Sequence, residues 1–203
     1  MWTKITIALL CCYSMSAWAS DPWCSAGKTP AFNFEWQPKD QEEPSFGSVV
    51  IKDTSGNTIQ VLDDIDNYRG DAESLYANTD FNNDGCPDLV VTSFVGASGN
   101  ETLTAFLYDR KTQRFAYSEA LSNIGGLQLD PRNKNCVTAS GKGGADTVYS
   151  ERHCWSKGKL VLKSESKSVA LYDDNGQLKC YQHVDTEYRG GKKRTRTSCT
   201  SEF

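Results

Sequence analysis

The stretch KLVLKSESKSVALYDDNGQLKCYQHVDTEY, residues 159–188, carries the pattern that decides the fold. Two runs of alternating apolar and polar residues flank the turn sequence DDNG at residues 173–176. A period of two is typical of β-strands, and a turn rich in Asp, Asn and Gly between two such runs indicates a hairpin. We therefore predict an antiparallel β-hairpin over this stretch.

The same pattern recurs along most of the chain. Further strand-like runs are SFGSVVIKD (45–53), DLVVTSFVG (88–96), ETLTAFLYD (101–109), RFAYSEA (114–120) and DTVYSERHCW (146–155). Turn sequences separate these runs, among them TSGN (54–57), DRKTQ (109–113), SKGK (156–159) and RGGKK (189–193). Only a short turn around residues 71–76 is expected to be helical. The sequence predicts an all-β, antiparallel, hairpin-rich meander, either propeller-like or barrel-like.

The first residues predict export. Residues 1–19 contain Lys4, an apolar run and the small-x-small sequence Ala17-Trp18-Ala19, which together are typical of a cleaved signal peptide. A lipoprotein signal is disfavoured because the bulky Leu10 precedes Cys11. Since no other stretch is apolar enough to span a bilayer, we expect a periplasmic protein without membrane insertion.

The remaining 184 residues (203 minus 19) are enough for one domain with its own core. Residues 20–44 contain four of the six prolines and are interpreted as an N-terminal arm, followed by a single all-β domain at 45–203. Loss of Lys4 changes the formal charge from −4 to −5. This acidic balance argues against nucleic acid as a partner.

Six cysteines remain after residue 19, namely Cys24, Cys86, Cys136, Cys154, Cys180 and Cys199. An even number in an exported chain predicts three disulfides, although six cysteines allow many pairings. Local hairpins favour Cys136 with Cys154 and Cys180 with Cys199. Cys24 and Cys86 would then form the third pair.

Residues 80–88, DFNNDGCPD, form a second distinctive segment, which we call the acidic loop. Oxygen-bearing side chains occupy its positions 1, 3, 5 and 9, namely Asp80, Asn82, Asp84 and Asp88. Gly85 at position 6 permits a sharp turn, and Cys86 at position 7 can offer its carbonyl oxygen. Because Ca²⁺ prefers hard oxygen ligands, we predict that these five residues bind calcium.

The acidic loop resembles the calcium loops of integrin-type FG-GAP repeats, because it runs directly into the strand-like sequence DLVV. An EF-hand loop would carry a glutamate at position 12, where this chain has Val91. The resemblance implies an ion that stabilises a scaffold rather than a catalytic centre. The alternative is an acidic turn that is merely solvated.

A third segment, ASGKGGADTVYSERHCWSKGKLVL at residues 139–162, is rich in glycine near its beginning. Ser140 and Gly141 are predicted to begin a protruding loop with Lys142 at its tip, and Tyr149 to lie on the returning strand. The alternative is an ordinary hairpin in which Tyr149 packs against a neighbouring strand.

This third segment resembles bacterial periplasmic lysozyme inhibitors, in which a Ser-Gly loop enters the lysozyme cleft and an aromatic residue and Lys-Gly follow. In that family the aromatic residue stands closer to Ser-Gly than Tyr149 stands to Ser140. Together with the acidic loop, the segment resembles exported immunity proteins that protect bacteria from hydrolases delivered by secretion systems. The resemblance implies a lysozyme-like peptidoglycan hydrolase as partner and Ser140, Gly141, Lys142 and Tyr149 as the inhibitory residues.

Two other function classes remain to be compared. A calcium-stabilised adhesion or glycan-binding module would suit the acidic loop but leave hydrolases unaffected. An enzyme is not expected, because His153 and His183 lie in strand-like runs and no metalloprotease, nucleophile-elbow or phosphate-binding motif is present. The basic run RGGKKRTRT at 189–197 is either a solvated hairpin turn or a contact for an anionic polymer.

Overall fold

The structure is a computed structural model that describes residues 21–24 and 31–202. The predicted signal peptide at 1–19 lies outside these residues. Within the described part of the chain, no helix has the length and apolar character needed to cross a membrane. The all-β prediction is confirmed, because nearly all regular structure in these residues is antiparallel β-strand.

The strands form three sheets, each with its strands in chain order. The first sheet contains β1 (Asn33–Pro38), β2 (Phe46–Lys52) and β3 (Thr58–Asp66). The second contains β4 (Leu75–Thr79), β5 (Asp88–Val95), β6 (Glu101–Asp109) and β7 (Arg114–Tyr117). The third contains β8 (Gln128–Leu129), β9 (Cys136–Lys142), β10 (Thr147–Ser156), β11 (Lys159–Tyr172), β12 (Leu178–Arg189) and β13 (Lys192–Thr200). This sequential pairing is the meander that the hairpin pattern predicts.

Two short helical segments interrupt the strands. A 3₁₀ turn at Ala72–Ser74 lies where the sequence predicts one, and the Asp71 side chain accepts a hydrogen bond from the Glu73 amide. A single α-helical turn, α1 (Glu119–Ser122), replaces the end of the strand predicted at 114–120. A tertiary contact fixes this turn, because Ser122 Oγ accepts a hydrogen bond from the Ala105 amide.

The first core lies between the first and second sheets and is rich in aromatic rings. Trp23 contacts Phe32, Phe34 and Phe115, with ring centroids 5.1, 5.7 and 5.8 Å away. Tilted and edge-on contacts of this kind add to the stabilisation from burial alone. The N-terminal arm is therefore part of the core, and residues 33–38 of the arm form strand β1.

A second core lies between the second sheet, α1 and the third sheet. Strand β5 contributes to both cores, because Leu89 and Val91 face the first and Val90 faces the second. Side chains alternate between the two faces of a strand, so a strand buried on both faces reads as a continuous apolar run. This explains the sequence DLVV after the acidic loop.

The three predicted disulfides are all present. Cys136–Cys154 joins β9 to β10, and Cys180–Cys199 joins β12 to β13. Cys24–Cys86 joins the N-terminal arm to the acidic loop across 62 residues of sequence.

Candidate functional sites

The acidic loop connects β4 to β5 and is curled by its own side chains. Asp80 accepts hydrogen bonds from the amides of Gly85 at 2.8 Å and Asp84 at 3.2 Å. Asn82 Oδ1 accepts from the Asp84 amide, and Asp84 Oδ1 accepts from the Cys86 amide. Gly85 has a φ of +86°, the left-handed conformation that its place in the motif predicts.

Asp88 ends the acidic loop and is fully buried. Its two carboxylate oxygens accept hydrogen bonds from the amides of Phe81 at 2.8 Å and Tyr108 at 3.0 Å. Burial raises the pKa of Asp88 to about 7, and the negative charges of Asp84 and Asp80 act in the same direction. Burial and the neighbouring carboxylates therefore both disfavour the ionised form of Asp88.

The donor set of the acidic loop fits a hard cation. Three carboxylates and one amide oxygen lie within nine residues, and an ionised carboxylate can accept roughly four hydrogen bonds or metal contacts. The amide hydrogen bonds therefore leave capacity on each carboxylate. The described residues contain no preassembled group of three or more acidic, histidine or cysteine side chains in metal-binding geometry. The loop thus has suitable ligands for calcium, but its carboxylates are turned toward backbone amides.

The N-terminal arm holds the end of the acidic loop at Cys86 and Pro87. Cys24 is bonded to Cys86, and Trp23 Nε1 donates to the Pro87 carbonyl at 2.6 Å. Arg110 of the β6–β7 turn donates to the Asp84 carbonyl at 3.0 Å. A disulfide to Cys24 and hydrogen bonds from Trp23 and Arg110 thus hold the loop from outside its own sequence.

The predicted inhibitory residues lie in the β9–β10 hairpin rather than in a long loop. Ser140, Gly141 and Lys142 are the last residues of β9, and they pair with Ser150, Tyr149 and Val148 of β10. The connecting loop is confined to residues 143–146. The expectation that Ser140 begins the loop is therefore corrected, because cross-strand hydrogen bonding extends the strand through Lys142.

Tyr149 lies over Gly141 on the neighbouring strand. A Cβ atom at Gly141 would stand only 2.4 Å from the Tyr149 hydroxyl oxygen and 2.6 Å from Cζ. Only glycine leaves room for the ring in this position. Gly141 and Tyr149 are separated in sequence, but the pairing of β9 with β10 brings them into contact.

Asn100, in the turn between β5 and β6, holds the end of β9. Its Oδ1 accepts a hydrogen bond from the Lys142 amide at 2.9 Å, and its Nδ2 donates to the Lys142 carbonyl at 2.7 Å. The two bonds replace a strand partner at this edge. Sequence reasoning missed Asn100, because the contact joins residues 42 positions apart and no local motif marks it.

A surface cavity of 490 Å³ brings the predicted inhibitory residues together. Its lining includes Ser140, Gly141, Lys142 and Tyr149, with Asn100 at the rim. The side chains of Ser140 and Lys142 are exposed, whereas Tyr149 is half-buried. The arrangement presents a hydroxyl group and an ammonium group on a backbone that is fixed from both sides.

The histidines and Trp155 of the third sheet have polar partners in the structure. His153 contacts Glu151 at 2.8 Å, and His183 bridges the hydroxyls of Ser168 and Thr200 at 2.7 Å each. Trp155 Nε1 donates to the Phe81 carbonyl beside the second core. The His183 contacts link β11, β12 and β13, the His153 contact lies within β10, and the Trp155 bond ties β10 to the acidic loop.

The basic run at 189–197 forms the turn between β12 and β13 and continues into the exposed strand β13. Gly190 and Gly191 adopt positive φ values of 56° and 74°, which lets the chain reverse between β12 and β13. Arg189 pairs with Glu187 at 3.4 Å, and Lys193 lies 3.9 Å from Glu165. Such exposed pairs contribute little stability.

No protein-family model matches the chain, and no curated protein matches it significantly. Among solved structures, a type IV secretion system related protein from Xanthomonas has a similar fold, with a TM-score of 0.53 and 17% identity. The alignment covers 74% of this chain and 78% of that protein. A protein of unknown function from Bacteroides fragilis aligns over 87% of this chain and 95% of its own length, with 10% identity and a TM-score of 0.28. At these identities, the Xanthomonas structure indicates a shared fold.

Proposed function

We propose that this chain is an exported inhibitor, which binds a lysozyme-like peptidoglycan hydrolase and blocks its active-site cleft. The observation that carries the proposal is the convergence of Ser140, Gly141, Lys142 and Tyr149 at one cavity. Asn100 fixes the backbone beside it. An inhibitory surface that is already ordered loses less conformational entropy on docking.

The exposed groups of this surface suit the chemistry of the proposed target. A glycoside hydrolase places two carboxyl groups on either side of the scissile bond. The Ser140 hydroxyl can donate a hydrogen bond to one carboxyl group, and the Lys142 ammonium group can pair with the other. Within the described residues, no acidic side chain forms an ion pair with Lys142, so its charge is available to a partner.

The expected compartment of the protein and its similarity to a solved structure support the same function. Three disulfides suit an oxidising compartment such as the periplasm, which the predicted signal peptide would reach. The structurally similar Xanthomonas protein is described as related to a type IV secretion system. We infer from this description that the chain acts as an immunity protein against a hydrolase delivered by such a system.

Calcium is the proposed cofactor of the scaffold. The ligands would be the side chains of the acidic loop and one carbonyl oxygen, namely Asp80, Asn82, Asp84, Asp88 and the Cys86 carbonyl. A bound cation would offset the repulsion among Asp80, Asp84 and Asp88 and favour the ionised form of Asp88. Calcium would order the loop and take no part in inhibition chemistry.

The proposal is tested by measuring muramidase activity against intact peptidoglycan in the presence of the mature protein. A panel of lysozyme-like hydrolases, including any encoded beside this gene, should contain at least one enzyme that is inhibited at micromolar excess. Replacing Ser140 and Lys142 together by Ala should weaken inhibition by about tenfold or more, equivalent to about 1.4 kcal/mol. The melting temperature should change little because both side chains are exposed.

A matched control removes a serine and a lysine elsewhere. Ser55 and Lys111 are exposed in turns of the first and second sheets, and their joint replacement by Ala should leave inhibition unchanged. Full activity of every hydrolase at micromolar excess would contradict the inhibitor proposal. Binding of glycan without any inhibition would instead support the calcium-stabilised adhesion or glycan-binding module.

A further inference from the structure

A polar trough of 650 Å³ crosses the third sheet beside the inhibitory surface. Its floor is formed by four serines from three adjacent strands, Ser140, Ser150, Ser164 and Ser166, and we call it the serine trough. Ser150 pairs with Ser140 on one side and with Ser166 on the other, so their hydroxyls share one face. Ser166 Oγ already donates to Asp185 at 2.6 Å and can only accept from a ligand, whereas the other three hydroxyls can donate and accept. The floor therefore suits a ligand with amide groups.

One end of the serine trough carries two arginines oriented by a single buried carboxylate. The Asp130 side chain is 0% exposed, and its oxygens accept hydrogen bonds from Nε of Arg152 and, at 3.4 Å, from Nε of Arg132. Burial alone raises the pKa of Asp130, but hydrogen bonds from Arg152 and Arg132 outweigh it and hold this pKa below its ordinary value. Asp130 is therefore charged, and the group of three side chains has a net charge of +1.

Both arginines keep donors for a further partner. Each arginine donates a hydrogen bond from its Nε to Asp130. Within the described residues, their Nη groups donate to no acceptor. Arg132 and Arg152 both line the serine trough. The planar fork of a guanidinium group matches a carboxylate through two parallel hydrogen bonds, and a carboxylate that orients the arginine reduces the entropy lost on binding.

The opposite wall of the serine trough limits the charge of the ligand. Asp185 and Glu187 on β12 lie opposite Arg196 and Arg194 on β13, so this wall carries both signs. With Glu151 and Glu165, the lining contains four acidic residues, so a polyanion would be repelled along the trough, whereas a ligand with one negative end can place that end at the arginines. The lining also contains no aromatic ring on which a sugar could stack.

We propose that the serine trough binds a short peptide by its free C-terminal carboxylate, held by Arg132 and Arg152. The peptide amides would lie over the serine hydroxyls. The trough adjoins the proposed inhibitory surface and shares Ser140, Ser150 and Ser166 with its cavity, whereas the carboxylate-binding residues Arg132 and Arg152 line the trough alone.

The test uses N-acetyl-trialanine with a free carboxylate and the same peptide with a C-terminal amide, titrated into isotopically labelled mature protein and followed by NMR. The acid should bind and shift the amide resonances of residues 138–140, 150–152 and 164–166. The carboxamide should bind at least tenfold more weakly, because it cannot form the charge-assisted pair.

Variants assign the binding to the arginines. Arg132→Ala should weaken binding of the acid at least fivefold without unfolding the protein, since its side chain is 77% exposed. Arg152→Lys keeps the charge but loses the planar fork, so it should also weaken binding. Lys111→Ala removes one positive charge from a distant exposed turn and should leave the affinity unchanged. Equal affinity for acid and amide, or no resonance shifts along the trough at millimolar peptide, would overturn the proposal.

Discussion

At the scale of single residues, the contact between Gly141 and Tyr149 decides the shape of the proposed inhibitory surface. The ring occupies the space that any side chain at position 141 would need. Gly141→Ala should therefore displace Tyr149, destabilise the protein by about 1–3 kcal/mol and weaken inhibition. Thermal unfolding of the variant would measure the loss of stability, and the muramidase assay would measure the loss of inhibition.

Two variants control for the substitution at Gly141. Gly96→Ala adds the same methyl group where the nearest atom is 3.6 Å away, so it should be nearly neutral. In a Tyr149→Ala background, Gly141→Ala should cost much less than in the parent, because the two residues are directly coupled. Additive costs in this double-mutant cycle would contradict the contact.

The sequence predicts residues in local motifs better than residues in distant contacts. The conformation of Gly85 follows from a nine-residue motif, and the structure agrees with it. Ser140 was expected in a loop, because consecutive glycines usually end a strand. Pairing with β10 and the two bonds from Asn100 override that preference, and neither partner is adjacent in sequence.

At the scale of elements, the apolar strands were predictable, whereas the basic edge strand β13 was not. A continuous apolar run marks β5 in the sequence, and apolar alternation marks β6 and β11. Strand β13 is exposed along nearly its whole length and contains four basic residues, so its composition indicates a turn or a solvated segment. It forms a strand because β12 provides a hydrogen-bonding partner and Cys199 is bonded to Cys180.

Strand β13 should therefore depend on its disulfide more than the inner strands do. Replacing Cys180 and Cys199 by Ser should cost about 2–4 kcal/mol and speed amide exchange in residues 192–200, because few buried contacts hold this edge. Exchange in β10 should remain slow. Hydrogen–deuterium exchange with mass spectrometry would follow both regions.

The disulfide between the inner strands provides the comparison. Cys136 and Cys154 lie on β9 and β10, where both strands also pair with a second neighbour. Their replacement by Ser should destabilise the protein globally without selectively exposing β13. Equal exchange in residues 192–200 of the two variants would show that the Cys180–Cys199 bond does not hold the edge.

At the scale of the whole molecule, the acidic loop links the N-terminal arm to the two cores. It leads into β5, which packs in both cores, and it is bonded to the N-terminal arm through Cys86. The sequence predicts most of the strands, their antiparallel hairpins and the pairing of the cysteines. It did not predict the arrangement of three sheets around two cores, because that depends on contacts between residues far apart in the chain.

Calcium should therefore stabilise the whole domain and not only its own loop. Binding to the folded state at about 100 times the dissociation constant would add about 2.7 kcal/mol, so the melting temperature should rise when calcium is added to chelated protein. Replacing Asp80 and Asp84 by Asn should abolish this rise. Asp53→Asn is the matched control, because Asp53 caps a similar turn by accepting from the amides of Ser55 and Asn57 but has no neighbouring acidic cluster. If calorimetry detects no binding and no shift at millimolar calcium, the acidic loop is a hydrogen-bonded turn that holds itself together through its own amides.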